Sequence, residues 1–95
     1  MVKRISLYNI VTMGRTQKIL KKILASSKNI SFSDFILLVK GFGFYLSRVR
    51  GSHHIFVHPD VKELLNLQNV KGQVKPYQVK QFLDLVERYS LELEE

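Results

Sequence analysis

Apolar residues at Ile19, Leu20, Ile23 and Leu24 recur at the i, i+1, i+4, i+5 spacing of one helix face, with Lys18, Lys21 and Lys22 on the other side. Thr16 suits the N-cap and Ser26-Ser27-Lys28-Asn29 breaks the pattern, so a helix is predicted over 16–25. A second helix is predicted from Ser31, where Ser31 and Asp34 form a Ser-x-x-Asp start resembling a capping box. Phe32, Phe35, Ile36 and Val39 give it one apolar face, and Gly41 a natural stop. Phe44-Tyr45-Leu46-Ser47-Arg48-Val49 then reads as extended, Arg50-Gly51-Ser52 as a turn, and His54-Ile55-Phe56-Val57-His58 as the partner strand of a hairpin. Pro59-Asp60 turns the chain again, and a third strand is expected within 63–69, although Glu63-Leu64-Leu65 also fits a helix. After the Lys71-Gly72-Gln73 loop, Pro76 suits the first position of a last helix, whose Val79, Phe82, Leu83 and Val86 stripe ends near Tyr89.

The order α-α-β-β-β-α predicts an α+β fold, with helices packed on one face of a three-stranded antiparallel sheet and the other face open. Ninety-five residues supply one core and leave no room for a second full domain. The apolar runs are interrupted by lysine, arginine or asparagine well before the ~20 residues that a membrane-spanning helix needs. Residues 1–13 place Lys3 and Arg4 before a short apolar stretch that contains Asn9 and lacks a small-residue cleavage site, which argues against a secretory signal. Met13 offers a second possible start. With no cysteine, disulfides, zinc-thiolate sites and cysteine nucleophiles are excluded together, and a reducing, cytoplasmic compartment is the expectation.

Charge adds a direction to this picture. The net charge is +7, and residues 1–33 hold seven basic side chains and no acid, whereas residues 81–95 hold Asp84, Glu87, Glu92, Glu94 and Glu95 against Arg88 alone. Over 40–80 Lys40, Arg48, Arg50, Lys62, Lys71, Lys75 and Lys80 outnumber Asp60 and Glu63. Such a field attracts phosphate backbones, an acidic protein surface would answer it equally well, and lysines also serve solubility alone.

Three histidines fall within 53–58. On a strand rising ~3.3 Å per residue, His54 and His58 stand about 13 Å apart and neighbouring His53 and His54 point to opposite faces, so a shared metal is not expected. Ser52 beside His53 diverges from it in the same way, and no carboxylate is placed to complete a serine triad. General acid-base work fits better, because RNA carries its own nucleophile in the 2′-hydroxyl and needs only proton transfer and charge stabilisation. His53 is then the proton-transfer candidate, Arg48, Arg50 and Lys75 are candidate phosphate contacts, and Gly51 and Ser52 form a small turn that a phosphate can approach. Tyr45, Phe56 and Tyr77 are candidate stacking residues, although a place in the core or at its rim suits each of them better. The same histidines and arginines can also be solvent-facing polar positions without chemistry.

The run Arg48-Val49-Arg50-Gly51-Ser52-His53-His54-Ile55-Phe56, with His58-Pro59 after it and Phe35–Phe44 before it, resembles the signature of HicA-family toxins, the small mRNA interferases of toxin-antitoxin pairs. Leu65-Asn66-Leu67-Gln68 and Lys75-Pro76-Tyr77-Gln78-Val79-Lys80-Gln81-Phe82 are similar to the variant tail of one subgroup. The resemblance implies an α-β-β-β-α fold like a double-stranded RNA-binding domain, here with an extra N-terminal helix. It implies a basic extension over 1–29 and a ribonuclease domain over 30–95. The activity implied is ribosome-independent mRNA cleavage without a cofactor or metal, by a histidine of the Gly-Ser-His region, with a HicB-type antitoxin as protein partner. His53 matches that histidine, and members reading Gly-x-x-His make His54 the alternate. The RNA contacts implied are Arg48, Arg50, Gly51, Ser52, Lys75 and Tyr77. The chain departs from the usual Val-Pro-x-His ending of the third strand, because Leu67-Gln68-Asn69 stands there and no histidine follows His58. Gln68, Lys75 or Tyr77 is the expected substitute as a phosphate ligand. The extension is expected either to widen the RNA footprint or to meet the antitoxin through Ile19 and Ile23. Two rival readings remain: a non-catalytic RNA-binding module of the same fold, and a domain whose basic face meets an acidic protein.

Overall fold

The computed structural model describes residues 14–94, so the readings of the leader and of Met13 lie outside the described residues. The elements run α1 (Arg15–Ala25), α2 (Phe32–Gly41), β1 (Tyr45–Arg50), β2 (His53–His58), β3 (Val61–Gln68) and α3 (Pro76–Arg88). The predicted order and the α+β class hold, and every element falls within about two residues of its expected place.

The boundaries that moved did so for local reasons. The first helix starts one residue before Thr16, behind Gly14 as N-cap and without a side-chain cap. Ser31 caps α2 as expected, its hydroxyl accepting the Asp34 N–H at 3.1 Å. Gly41 stays helical, and the chain turns at Gly43, whose φ is +93°. A Cβ at Gly43 would stand 2.8 Å from Nε2 of His58, so both the backbone and the packed ring demand glycine there. The last helix opens on Pro76 as expected.

The sheet order is β1-β2-β3, antiparallel throughout. Arg50 pairs with His53 across the two-residue loop Gly51-Ser52, and Gly51 takes φ +57°, the first-position glycine that such a loop favours. One face of the sheet carries Phe56, Val61, Leu65 and Leu67 into a core completed by Ile30, Phe35, Leu38, Val39, Val79, Phe82 and Leu85. At its centre Phe82 meets Phe35, Phe42 and Phe44 edge-on, with ring centroids 5.3, 5.5 and 6.0 Å away.

Ile19 and Ile23 of α1 are buried in this same core. The expectation that they meet an antitoxin is therefore corrected: α1 turns its apolar stripe inward and leaves Lys18, Lys21, Lys22 and Leu24 exposed. The acidic tail also folds back. Leu93 is buried, and the Glu94 N–H donates to the Gly41 carbonyl at 2.8 Å, closing the end of α2. Among the described residues no helix is long and apolar enough to cross a membrane.

A carboxylate cluster ties α3 to β3. Tyr89 O–H donates to Glu63 at 2.6 Å, and Arg88 pairs with both Glu63 and Asp84 at 2.9 Å. The tyrosine hydrogen bond, a backbone N–H and the guanidinium hold the Glu63 carboxyl below its ordinary range, as Arg15 does for Asp34. A depressed folded-state value contributes stability above the ordinary carboxylate range, and that contribution is lost as pH falls through the lowered value. Acid titration of unfolding is expected to show this loss, and Glu63→Gln is expected to flatten the acid limb. An unchanged limb in thermal melts across that range would refute the assignment.

Candidate nucleic-acid interface on the open sheet face

Pairing in register fixes which side chains share the uncovered face. Arg50 lies opposite His53 and His53 opposite Gln68, while Arg48 lies opposite Ile55 and Ile55 opposite Asn66. Tyr45 pairs with Val57 at the far end, and Leu64 stands across the strand from buried Leu65. The face therefore presents Arg48, Arg50, His53, Asn66 and Gln68 toward the hairpin turn, and Tyr45, Val57 and Leu64 beyond them. The seven acidic side chains among the described residues sit elsewhere, in the helices, the turns, the tail or the helix-facing side of β3. The expectation that Arg48 and Arg50 share a face holds, because the irregularity in β1 falls before them, between Leu46 and Arg48.

The three imidazoles separate cleanly. His53 is exposed on the open face, with Nδ1 3.1 Å from Oδ1 of Asn66. His54 turns to the helix side, where its ring meets Phe32 edge-on at 4.9 Å and its Nδ1–H donates to the Ser52 carbonyl at 3.3 Å. His58 also faces the helices: it packs on Phe44 at 5.1 Å, and its Nδ1 accepts the Asp60 N–H at 3.0 Å. Among the described residues no three His, Asp or Glu side chains are grouped to hold a metal ion.

Around the turn, Gln68 Nε2 donates to Ser52 Oγ at 3.3 Å and the Asn69 N–H to the Ser52 carbonyl at 3.0 Å. The open side of Gly51 has no atom within 4 Å of where a Cβ would stand, so a ligand can reach the turn backbone. The outer edge of β3 is closed by Gln78 of α3, which is 4% exposed. Its Nε2 donates to the Asn66 carbonyl at 3.1 Å and its Oε1 accepts the Gln68 N–H at 3.2 Å, as a neighbouring strand would. Gln78 thereby holds the first turn of α3 beside β3, with Lys75 at the N-cap and Tyr77 exposed one residue into the helix. Lys75 and Tyr77 thus flank the strand that bears Asn66 and Gln68.

One stacking candidate falls away here, in favour of its core reading. Phe56 is 1% exposed and belongs to the core, because even positions of β2 face the helices, so it cannot stack on a base. Tyr45 and Tyr77 are the exposed aromatic rings at this face and its rim. Asn66 and Gln78 were not among the sequence candidates. A polar residue on the apolar stripe of α3, four before Phe82 and seven before Leu85, is the signal that marks Gln78. Asn66 carries no such signal, since only strand register brings it to His53.

No curated protein and no solved structure matched the chain. A protein-family comparison matched residues 32–86 to the HicA toxin of bacterial toxin-antitoxin systems, a span that starts at the first residue of α2, takes in the whole sheet and ends within α3. More than half of the chain is covered, α1 alone among the helices of the described residues lying outside it, and this protein therefore belongs to the HicA toxin family.

Proposed function

We propose that this toxin is an endoribonuclease that cuts single-stranded mRNA in the cytoplasm without a ribosome or a metal ion, and that a HicB-type antitoxin silences it by covering the open sheet face. The observation that carries the reading is an exposed imidazole, His53, on a face that holds two arginines and, among the described residues, no carboxylate. A polyanion approaches such a face along a favourable field, and no acidic side chain opposes the scissile phosphate.

The chemistry follows from the substrate's own nucleophile. His53 takes the proton of the 2′-hydroxyl as its oxygen attacks the adjacent phosphorus, and the bond to the 5′ oxygen breaks. Arg48 and Arg50 offset the extra negative charge on the phosphoryl oxygens, with the exposed backbone of Gly51 and Ser52 beside them. Lys75 and Tyr77 extend the contact along the flanking RNA. With His54 and His58 turned to the other face, water protonates the leaving oxygen. The products are a 2′,3′-cyclic phosphate and a 5′-hydroxyl end. Tyr45, at the far end of the same strands, offers a ring on which a neighbouring base stacks.

The test uses freshly purified, antitoxin-free protein and a long single-stranded mRNA in excess EDTA, without ribosomes. Cutting that leaves cyclic phosphate and 5′-hydroxyl ends is the expected result. RNA retention without cutting would instead favour the binding module. Tight complex formation with an acidic protein and no RNA affinity at physiological salt would overturn both.

A further inference from the structure

His53 and Asn66 stand on adjacent strands as diagonal neighbours on the open face, since His53 pairs with Gln68 and Asn66 with Ile55. Diagonal pairs on one face lie within reach of long side chains, and here Nδ1 of the ring comes to 3.1 Å from the amide oxygen. An amide oxygen has no hydrogen to give, so a hydrogen bond at this distance requires the proton on Nδ1. The other ring nitrogen, Nε2, then carries the lone pair.

The strand segment that bears Asn66 is itself held from both sides. Buried Gln78 binds the Asn66 carbonyl and the Gln68 N–H, while Ser52 at the hairpin turn receives both the Gln68 side chain and the Asn69 N–H. Asn66 is thus fixed relative to the turn that carries His53, and little freedom is left for the pair to drift.

We infer that Asn66 is a positioning residue that holds His53 in the Nδ1–H tautomer, so that Nε2 is the atom that accepts the 2′-hydroxyl proton. This inference rests on the proposed ribonuclease reading. Free histidine favours the opposite tautomer, with the proton on Nε2, so without Asn66 much of the population would present a donor where the reaction needs an acceptor. An amide is also uncharged. A carboxylate in its place would stabilise the imidazolium and leave less free base at neutral pH. The charged groups on this face of β1 are Arg48 and Arg50, and the residues of β3 paired around His53, Asn66 and Gln68, are neutral.

The experiment reads the tautomer directly, from the two ring-nitrogen NMR shifts of His53 in the full 15N-labelled chain at mildly alkaline pH, with no RNA present. The expected spectrum has a protonated Nδ1 and a bare Nε2. Asn66→Ala is expected to shift the population toward Nε2–H and to slow cleavage by about 10-fold, while Asn66→Asp keeps Nδ1–H and moves the acidic limb of the cleavage profile up by about 1 pH unit. Unchanged amide shifts away from the site establish that each variant is folded. A bare Nδ1 in the parent, or a spectrum indifferent to Asn66→Ala, would overturn the inference. A parent that shows the fixed tautomer but cuts no RNA would remove the ribonuclease reading and leave the Asn66 orientation standing.

Discussion

His53→Ala is expected to lower the rate of mRNA cleavage by about 10²–10⁴-fold, the usual share of a general base, while RNA retention at low salt falls little. His54→Ala is expected to act differently. Its ring lies against Phe32 on the helix side and its Nδ1–H is donated to the Ser52 carbonyl, so its loss weakens packing under the hairpin. The cost is about 0.5–1.5 kcal/mol of stability for the ring pair, with cleavage by the folded fraction largely retained. Single-turnover cleavage by variants matched for folded content separates the two. If His54→Ala abolished cutting in fully folded protein and His53→Ala did not, the catalytic assignment would move one residue along the strand and to the other face. The pH dependence is a second signature of a lone imidazole. With only His53 on the open face, the rate should rise through one ionisation and then level off, whereas paired imidazoles acting as acid and base give a bell. A clear bell centred near neutrality would require a second proton donor.

Much of this candidate site is legible in the sequence. Strand alternation alone separates His53 from His54 and keeps Arg48 with Arg50, because a side-chain period of two leaves no other arrangement. The acid-free run from Lys3 to Lys28 is likewise a property of the chain. Stripe arguments were weaker for partners. Ile19 and Ile23 read as an amphipathic face, and an amphipathic face can bury itself against its own domain or a second protein; packing on α2 decided for the domain. Asn66 was out of reach for a different reason. It stands thirteen residues from His53, and the irregular pairing between β2 and β3 at Phe56 and His58 means that counting back from the turn does not carry the register along the whole of β3. Gln78 illustrates a third case: a glutamine on an apolar stripe announces a buried amide but not the backbone groups it serves.

Phe82→Ala is expected to bring the protein close to its unfolding midpoint at ambient temperature. The ring is fully buried and is the hub on which Phe35, Phe42 and Phe44 converge, so its removal opens a cavity walled by three rigid rings that cannot easily close it. Such truncations cost about 3–5 kcal/mol, and a domain of this size has roughly 5–10 kcal/mol in all. At about 4–8 °C per kcal/mol, the midpoint of thermal unfolding should fall by roughly 12–40 °C. Circular-dichroism melts check this, and a fall of only a few degrees would show that the phenylalanine cluster repacks. Phe82→Leu, which keeps most of the volume, should lose far less. Phe82 lies one helical turn beyond Gln78 on the same side of α3, so the same residue that anchors the helix to the core also sets the amide that closes β3. Loosening at Phe82 should therefore reach Asn66 and Gln68 before the sheet itself separates. Cleavage by Phe82→Ala is then expected to fail at temperatures where most of its secondary structure persists, with the His53 ring shifts moving toward those of Asn66→Ala.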